Sequence, residues 1–191
     1  MTRWTGHPVM VAGRILKKQN LSSPTMEGTN KKRAMLLGAL LLASPWLLVQ
    51  GWILVGAPTP DHTTMPKCPE GTMNCASVSS AETIRMDARL TTVLDANVSE
   101  VWEAWEDWSE ENGLREVHDA VEEDGEHFSH RVAITPFWRF PDDVVVHFVP
   151  QGDDTLISIY SASRLGVGDL GVNPDRLGDL HAALVAVQAS S

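Results

Sequence analysis

Two stretches of the 191-residue chain concentrate side chains able to do chemistry: F-P-D-D-V at 140–144 and S-A-S-R-L-G-V-G-D-L-G-V-N-P-D-R at 161–176. Within otherwise apolar segments they place the carboxylates Asp142, Asp143 and Asp169, the guanidinium groups Arg164 and Arg176, and the polar groups of Ser161, Ser163 and Asn173. Guanidinium and carboxylate pair through two parallel hydrogen bonds. One expectation is therefore an ion-pair network, with one Asp taking a bidentate contact from Arg164 while Asp169 holds a turn. Burying such a network sets strand register without necessarily adding stability. The competing expectation is a polar ligand site at the end of a sheet, with Arg164 binding a carboxylate or phosphate and Ser161 and Ser163 donating. A third makes one carboxylate the base of a hydrolytic reaction. No single residue is assigned as catalytic.

The glycines in the second stretch, Gly166, Gly168 and Gly171, spell G-x-G-x-x-G after the strand-like L-I-S-I-Y-S-A-S. A dinucleotide fold needs a second parallel strand after the helix, ending in an acid for the ribose. Only 20 residues follow Gly171, enough for one helix. Asp169 would also face a pyrophosphate with like charge. Asn173-Pro174 reads as an N-cap followed by a first-turn proline, so the glycines are expected to form a tight strand-to-helix turn with residues at positive φ. No nucleotide is expected.

These motifs resemble an uncharacterised family known as domain of unknown function 1499. The resemblance runs over about residues 67–188. It rests on a Cys-Pro…Asn-Cys segment (Cys68, Pro69, Asn74, Cys75) and a Phe-x-Asp-Asp motif (Phe140, Asp142, Asp143). The third element is a long pattern falling on Ser161, Ser163, Arg164, Gly166, Asp169, Gly171, Asn173 and Arg176; Gly168 is not part of it. After Cys75 the chain reads A-S-V-S-S, where the family tends to have a shorter V-S-S. The resemblance implies no established activity, and it implies that a membrane anchor or signal peptide is common.

The histidines give weaker signals. His127 and His130 fall at opposite strand parities and diverge, His118 and His147 could face one another across strands, and His181 lies on an apolar helical stripe. No G-x-S-x-G, H-E-x-x-H, Cys-x-x-Cys or phosphate loop occurs, and neither metal nor cofactor is expected. The stretch V-L-D-A-N-V-S-E-V-W-E-A-W is similar to the opening of helix-grip proteins of the START type, which implies an apolar ligand cavity. The plainer expectation is that the tryptophans fill a core.

Several elements must position these groups. Ile84–Leu94 alternates imperfectly and is strand-like. Asn97, with Glu100 three residues on, predicts a capped helix with Val98, Val101, Trp102, Trp105 and Trp108 along one stripe, stopped by Asn112-Gly113. Strands are expected at Leu114–Glu122, Glu126–Ile134, Val144–Val149 and Thr155–Ser163. A last helix from about Pro174 carries Leu177, Leu180, Leu184 and Val187 on one side. The expected class is α+β: an antiparallel sheet of about five strands with two helices on one face, in the order β-α-β-β-β-β-α.

The net charge of −10 conceals a split. Residues 1–56 carry seven Lys/Arg against one acid, while residues 57–191 carry eight basic against 24 acidic residues. So acidic a surface repels phosphate backbones, and nucleic acid is not expected as a partner. Between the two lies a run of 23 uncharged residues, 34–56, long enough to span ~30 Å of hydrocarbon as a helix. Lys31-Lys32-Arg33 before it should stay cytoplasmic, leaving the acidic part on the far side. A cleaved signal peptide is the rival, disfavoured by the length of the run and by Pro58 at the position a cleaved chain would begin. Residues 1–25 lack periodicity, and Met26 is a more natural start.

An oxidising space would favour pairing of Cys68 with Cys75, the only two cysteines; free thiols or half a metal site are the alternatives. The expected organisation is a basic tail (1–33), a transmembrane helix (34–56), a linker with the cysteine loop (57–82) and an extracytoplasmic, periplasmic domain (83–191). Binding of a small or lipidic ligand, or of an envelope partner, is the expected work. Hydrolysis and a purely structural envelope role are the alternatives.

Overall fold

The computed structural model describes residues 26–189. Helix α1 (Met26–Gly56) contains the apolar run, with Pro45 inside it. Its Asn30–Gly56 portion is long and apolar enough to cross a membrane, a property that anchors share with signal sequences. The chain divides into two compact units at Ala43/Ser44. In the first, the side chains of Leu36, Leu37, Leu40, Leu41 and Leu42 stand exposed along the helix. The second comprises the last turns of α1 and the folded domain.

That domain is built on a seven-stranded antiparallel sheet. Its strands are β1 (Cys75–Val78), β2 (Thr83–Ile84), β3 (Val93–Leu94), β4 (Arg115–Val121), β5 (His127–Ile134), β6 (Pro141–Gln151) and β7 (Asp154–Ser163). The spatial order is β2-β1-β7-β6-β5-β4, with β3 sharing with β1 the outer edge of β7. Helices α2 (Val98–Glu111) and α3 (Val172–Ala186) pack on the sheet, and a short 3-10 turn follows (Val187–Ala189).

The sheet is larger than the expected five strands. The strand expected at Ile84–Leu94 survives only as its two ends, because Arg85 adopts φ 54° and turns its side chain inward. Strand β1 lies inside the segment read as a linker. Elsewhere the local chemistry behaves as expected. Asn97 caps α2 by accepting from the backbone of Ser99 and Glu100 while Glu100 reaches back to the Asn97 amide, and Asn112-Gly113 ends the helix.

Strand alternation divides the core in two. Val144, Val146, Phe148, Ile157 and Ile159 point toward the helices, meeting Val101 and Trp105 of α2 and Leu177, Leu180 and Leu184 of α3. Trp105 and Trp108 stack at 5.9 Å, and the Arg131 guanidinium lies over the Trp105 ring. On the opposite face Phe128, Val145 and Tyr160 form a smaller cluster with Cys75. This face is covered by an irregular strap, residues 57–72, which brings Met65 and Cys68 onto the cluster and is tied to β1 by the Cys68–Cys75 disulfide.

Candidate functional site

Adjacent residues of a strand face opposite sides, and Asp142 and Asp143 at the start of β6 obey that rule. The charged residues therefore form three clusters rather than one. Asp142 pairs with Ser163 and Val144 with Ser161 across β7, all on the helix side. There Arg176 of α3 donates to Asp142 Oδ2 (2.8 Å), to Ser161 Oγ (2.9 Å) and to Asn173 Oδ1 (2.8 Å). Ser161 donates to Asn173 Oδ1 (2.7 Å), and Asn173 Nδ2 donates to Ser163 Oγ and to the Asn74 carbonyl. Asn173 was expected to cap α3. Its side chain is instead spent in this network, and Gly171 at φ 92° holds the cap position.

The second cluster replaces that cap. The Asp169 carboxylate accepts from the backbone of Gly171 (3.0 Å) and Asn173 (3.2 Å), and from both terminal nitrogens of Arg85 (2.7 and 2.9 Å). Burial alone would raise its pKa, but the Arg85 and backbone hydrogen bonds prevail and hold it well below the usual carboxylate range. Gly166 and Gly171 lie at positive φ, as expected of the turn; Gly168 does not. The amides that a bound phosphate would use at this helix start are taken by the chain's own carboxylate.

The third cluster lies under the strap. Arg164 grips Asp143 through Nε (3.1 and 3.0 Å) and Nη2 (2.7 Å), the bidentate contact anticipated above, and extends Nη1 to Thr59 Oγ1 of the strap (2.9 Å). His130, fully buried, contacts Asp143 Oδ1 through Nε2 (2.7 Å). The His62 ring from the strap sits 4.9 Å from that of His130 and 6.3 Å from Tyr160. Burial opposes ionisation of Asp143, but the hydrogen bonds from His130 and Arg164 outweigh it and lower its pKa. For His62, burial and then the neighbouring His130 lower the pKa. Burial, helped by the Asp143 charge, pushes the Tyr160 hydroxyl up to about 12.

Among the described residues, His62, His130 and Asp143 bring ligand-type atoms within 4.8 Å of one another, a set that could hold a divalent cation. Arg164 already occupies both Asp143 oxygens, so a cation would have to compete with a guanidinium. The place of His62 against His130 has no signal in local spacing. His127 and His130 do diverge, His127 going to Trp102 on the helix side. His118 and His147 do not meet but flank Phe128, and His181 is buried on α3, bonded to the Thr91 carbonyl.

A cleft of about 420 Å³ opens where β6 and β7 meet the end of α1. Its walls are Trp52, Trp138, Phe140, Leu165, Leu170 and Val172, with Asp142 and Ser163 among the polar groups. Asp142 is only 1% exposed, and its Oδ1 has no hydrogen-bond partner among the described residues. Ser163 Oγ accepts from Asn173, which leaves its O–H to donate. Apolar walls with one buried and one half-buried polar group suit an amphiphile better than a sugar or nucleotide.

A model of the family described as "Protein of unknown function (DUF1499)" matches residues 61–184. No curated protein and no solved structure matches the chain.

Proposed function

The chain belongs to this family of unknown function, and on that premise we propose that it is a membrane-anchored binding module that takes an amphiphile into the cleft between Asp142 and Trp52. In this reading α1 stays uncleaved. The basic residues before it remain in the cytoplasm and the acidic domain stands outside, in the periplasm or an equivalent space. The supporting observation is the Asp142 carboxylate, buried against an apolar cleft with one oxygen unpartnered, since a buried polar atom in that state costs about 1–3 kcal/mol. Arg176 already balances its charge, so a neutral donor suits it: a hydroxyl or amide on a lipid head, with the chain lying along Trp52 and Leu165.

The family motif contributes mostly by building the walls. Ser161, Asn173 and Arg176 hydrogen-bond among themselves, and Asp143 and Arg164 secure the strap, which leaves Asp142 and Ser163 as the motif side chains that face the cleft. Native mass spectrometry of the full chain released gently from membranes tests the reading. Extra mass is expected on the wild type and should be lost in Val172→Trp, where a larger ring at the exposed cleft wall fills the space without touching the core. A wild-type chain that is bare in every preparation overturns it.

A further inference from the structure

The loop between β5 and β6 is where the domain meets its own helix. The Trp46 indole donates to the Phe137 carbonyl (2.8 Å) and the Gln50 amide to the Trp138 carbonyl (2.9 Å), while Trp52 meets Phe140 edge to face. At about 1.5 Å per residue, Gln50 lies about 9 Å and Trp46 about 15 Å back from the helix end at Gly56. Both therefore fall within the apolar run. Gln50 is a polar interruption of that run and the Trp46 indole carries a hydrogen-bond donor, and here each is matched to a backbone carbonyl. That is the pairing required when irregular backbone sits at membrane depth.

The loop is shaped to present its rings outward. Phe137 is 72% exposed, and Phe137 and Arg139 both adopt left-handed backbone (φ 52° and 60°), a conformation costing a non-glycine residue about 1 kcal/mol or more. Across the cleft, Leu170 is fully exposed. In water, such rings and strained turns bring no gain.

We infer that the Phe137–Trp138 loop is a wedge seated in the acyl-chain region of the leaflet on the domain's side, so that the cleft opens sideways into the bilayer and its ligand is a bilayer-resident lipid. Arg139 at the wedge has the reach to meet a headgroup phosphate. This rests on the proposal that α1 remains as an anchor.

The test uses the full chain in phosphatidylcholine vesicles, with Phe137→Cys carrying an environment-sensitive fluorophore; both native cysteines are in the disulfide. The same label at Glu123→Cys, in the exposed β4–β5 turn, is the reference. Nitroxides on the acyl chains should quench the label at 137 severalfold more than aqueous iodide does, and the label at 123 should show the reverse order. Adding Trp46→Phe with Gln50→Leu removes both donors and should raise iodide access at 137 severalfold. The intact mass of the vesicle-bound chain separates the two readings. If residues before 57 are missing, anchor and wedge both fall. If the helix is present and the label at 137 is as open to iodide as that at 123, the wedge alone falls.

Discussion

On one side of the sheet, α2 and α3 seal Trp105, Phe148, Ile157 and Leu180 from water in a broad apolar layer, with the Asp142–Arg176 pair and the Arg131 guanidinium at its margins. On the other, a strap without regular secondary structure covers Phe128, Val145 and Tyr160 together with a buried Asp, Arg and His. The contrast follows from what each cover can supply. An amphipathic helix brings a continuous apolar stripe, and each large side chain it buries contributes roughly 1.5–3 kcal/mol. An extended strap brings few apolar residues and has its own backbone to satisfy, so it is held by ion pairs, hydrogen bonds and a covalent tie. The helix side thus stabilises mainly by area, and the strap side mainly by specific partners.

The comparison can be broken most forcefully at Trp105, which is fully buried. Trp105→Ala should cost about 3–5 kcal/mol, seen as an earlier urea midpoint for the whole domain. A loss confined to α2 would mean the two layers do not share one cooperative core.

On the strap side, Asp143→Ala leaves Arg164 buried and deprived of its carboxylate, at a cost of about 3 kcal/mol. The double exchange Asp143→Leu with Arg164→Met should recover most of that, because the pair's cost lies in leaving one charge alone. If the double variant is as unstable as the single one, the pair contributes more than mutual neutralisation.

The smallest effect is pH-dependent. Burial and His130 hold the His62 pKa below the ordinary histidine value of 6.5, so the unfolded chain takes up a proton first as the medium acidifies. The stabilising contribution of neutral His62 is complete above that value and is lost as pH falls through the lower, folded value. Hydrogen exchange over residues 57–72 should therefore quicken between about pH 7 and pH 5 relative to α3. His62→Gln should remove that part of the dependence and leave only the deeper acid loss due to Asp143.

Much of this was legible in the sequence, for local reasons. The Asn97 capping box, the tryptophan stripe, four of the strands and the Arg164–carboxylate contact each depend on neighbours within one turn or one ladder. What escaped reading was non-local. The segment holding β1 is rich in Pro, Thr and Ser, and only the open edge of β7 makes Cys75–Val78 a strand. Ile84–Leu94 has a strand-like pattern, yet the Arg85–Asp169 pair, spanning 84 positions, breaks it. One network is the natural expectation because two short stretches, 140–144 and 161–176, hold all its residues. Their division follows from alternation along β6 and β7. His62 and the Trp46–Phe137 contact gave no sign at all, since each joins segments whose proximity only the tertiary fold creates.

The neighbouring positions 142 and 143 serve opposite layers, and this has a consequence for how the chain can change. Inserting or deleting one residue in β6 would invert the strand on one side of the change, either exchanging the Arg176 and Arg164 partners between layers or turning Val144, Val146 and Phe148 out of theirs. Substitutions there can be absorbed one at a time, but length cannot drift. Any surviving variation in length should be confined to the connecting turns, such as Glu122–Gly125 and Gln151–Asp154.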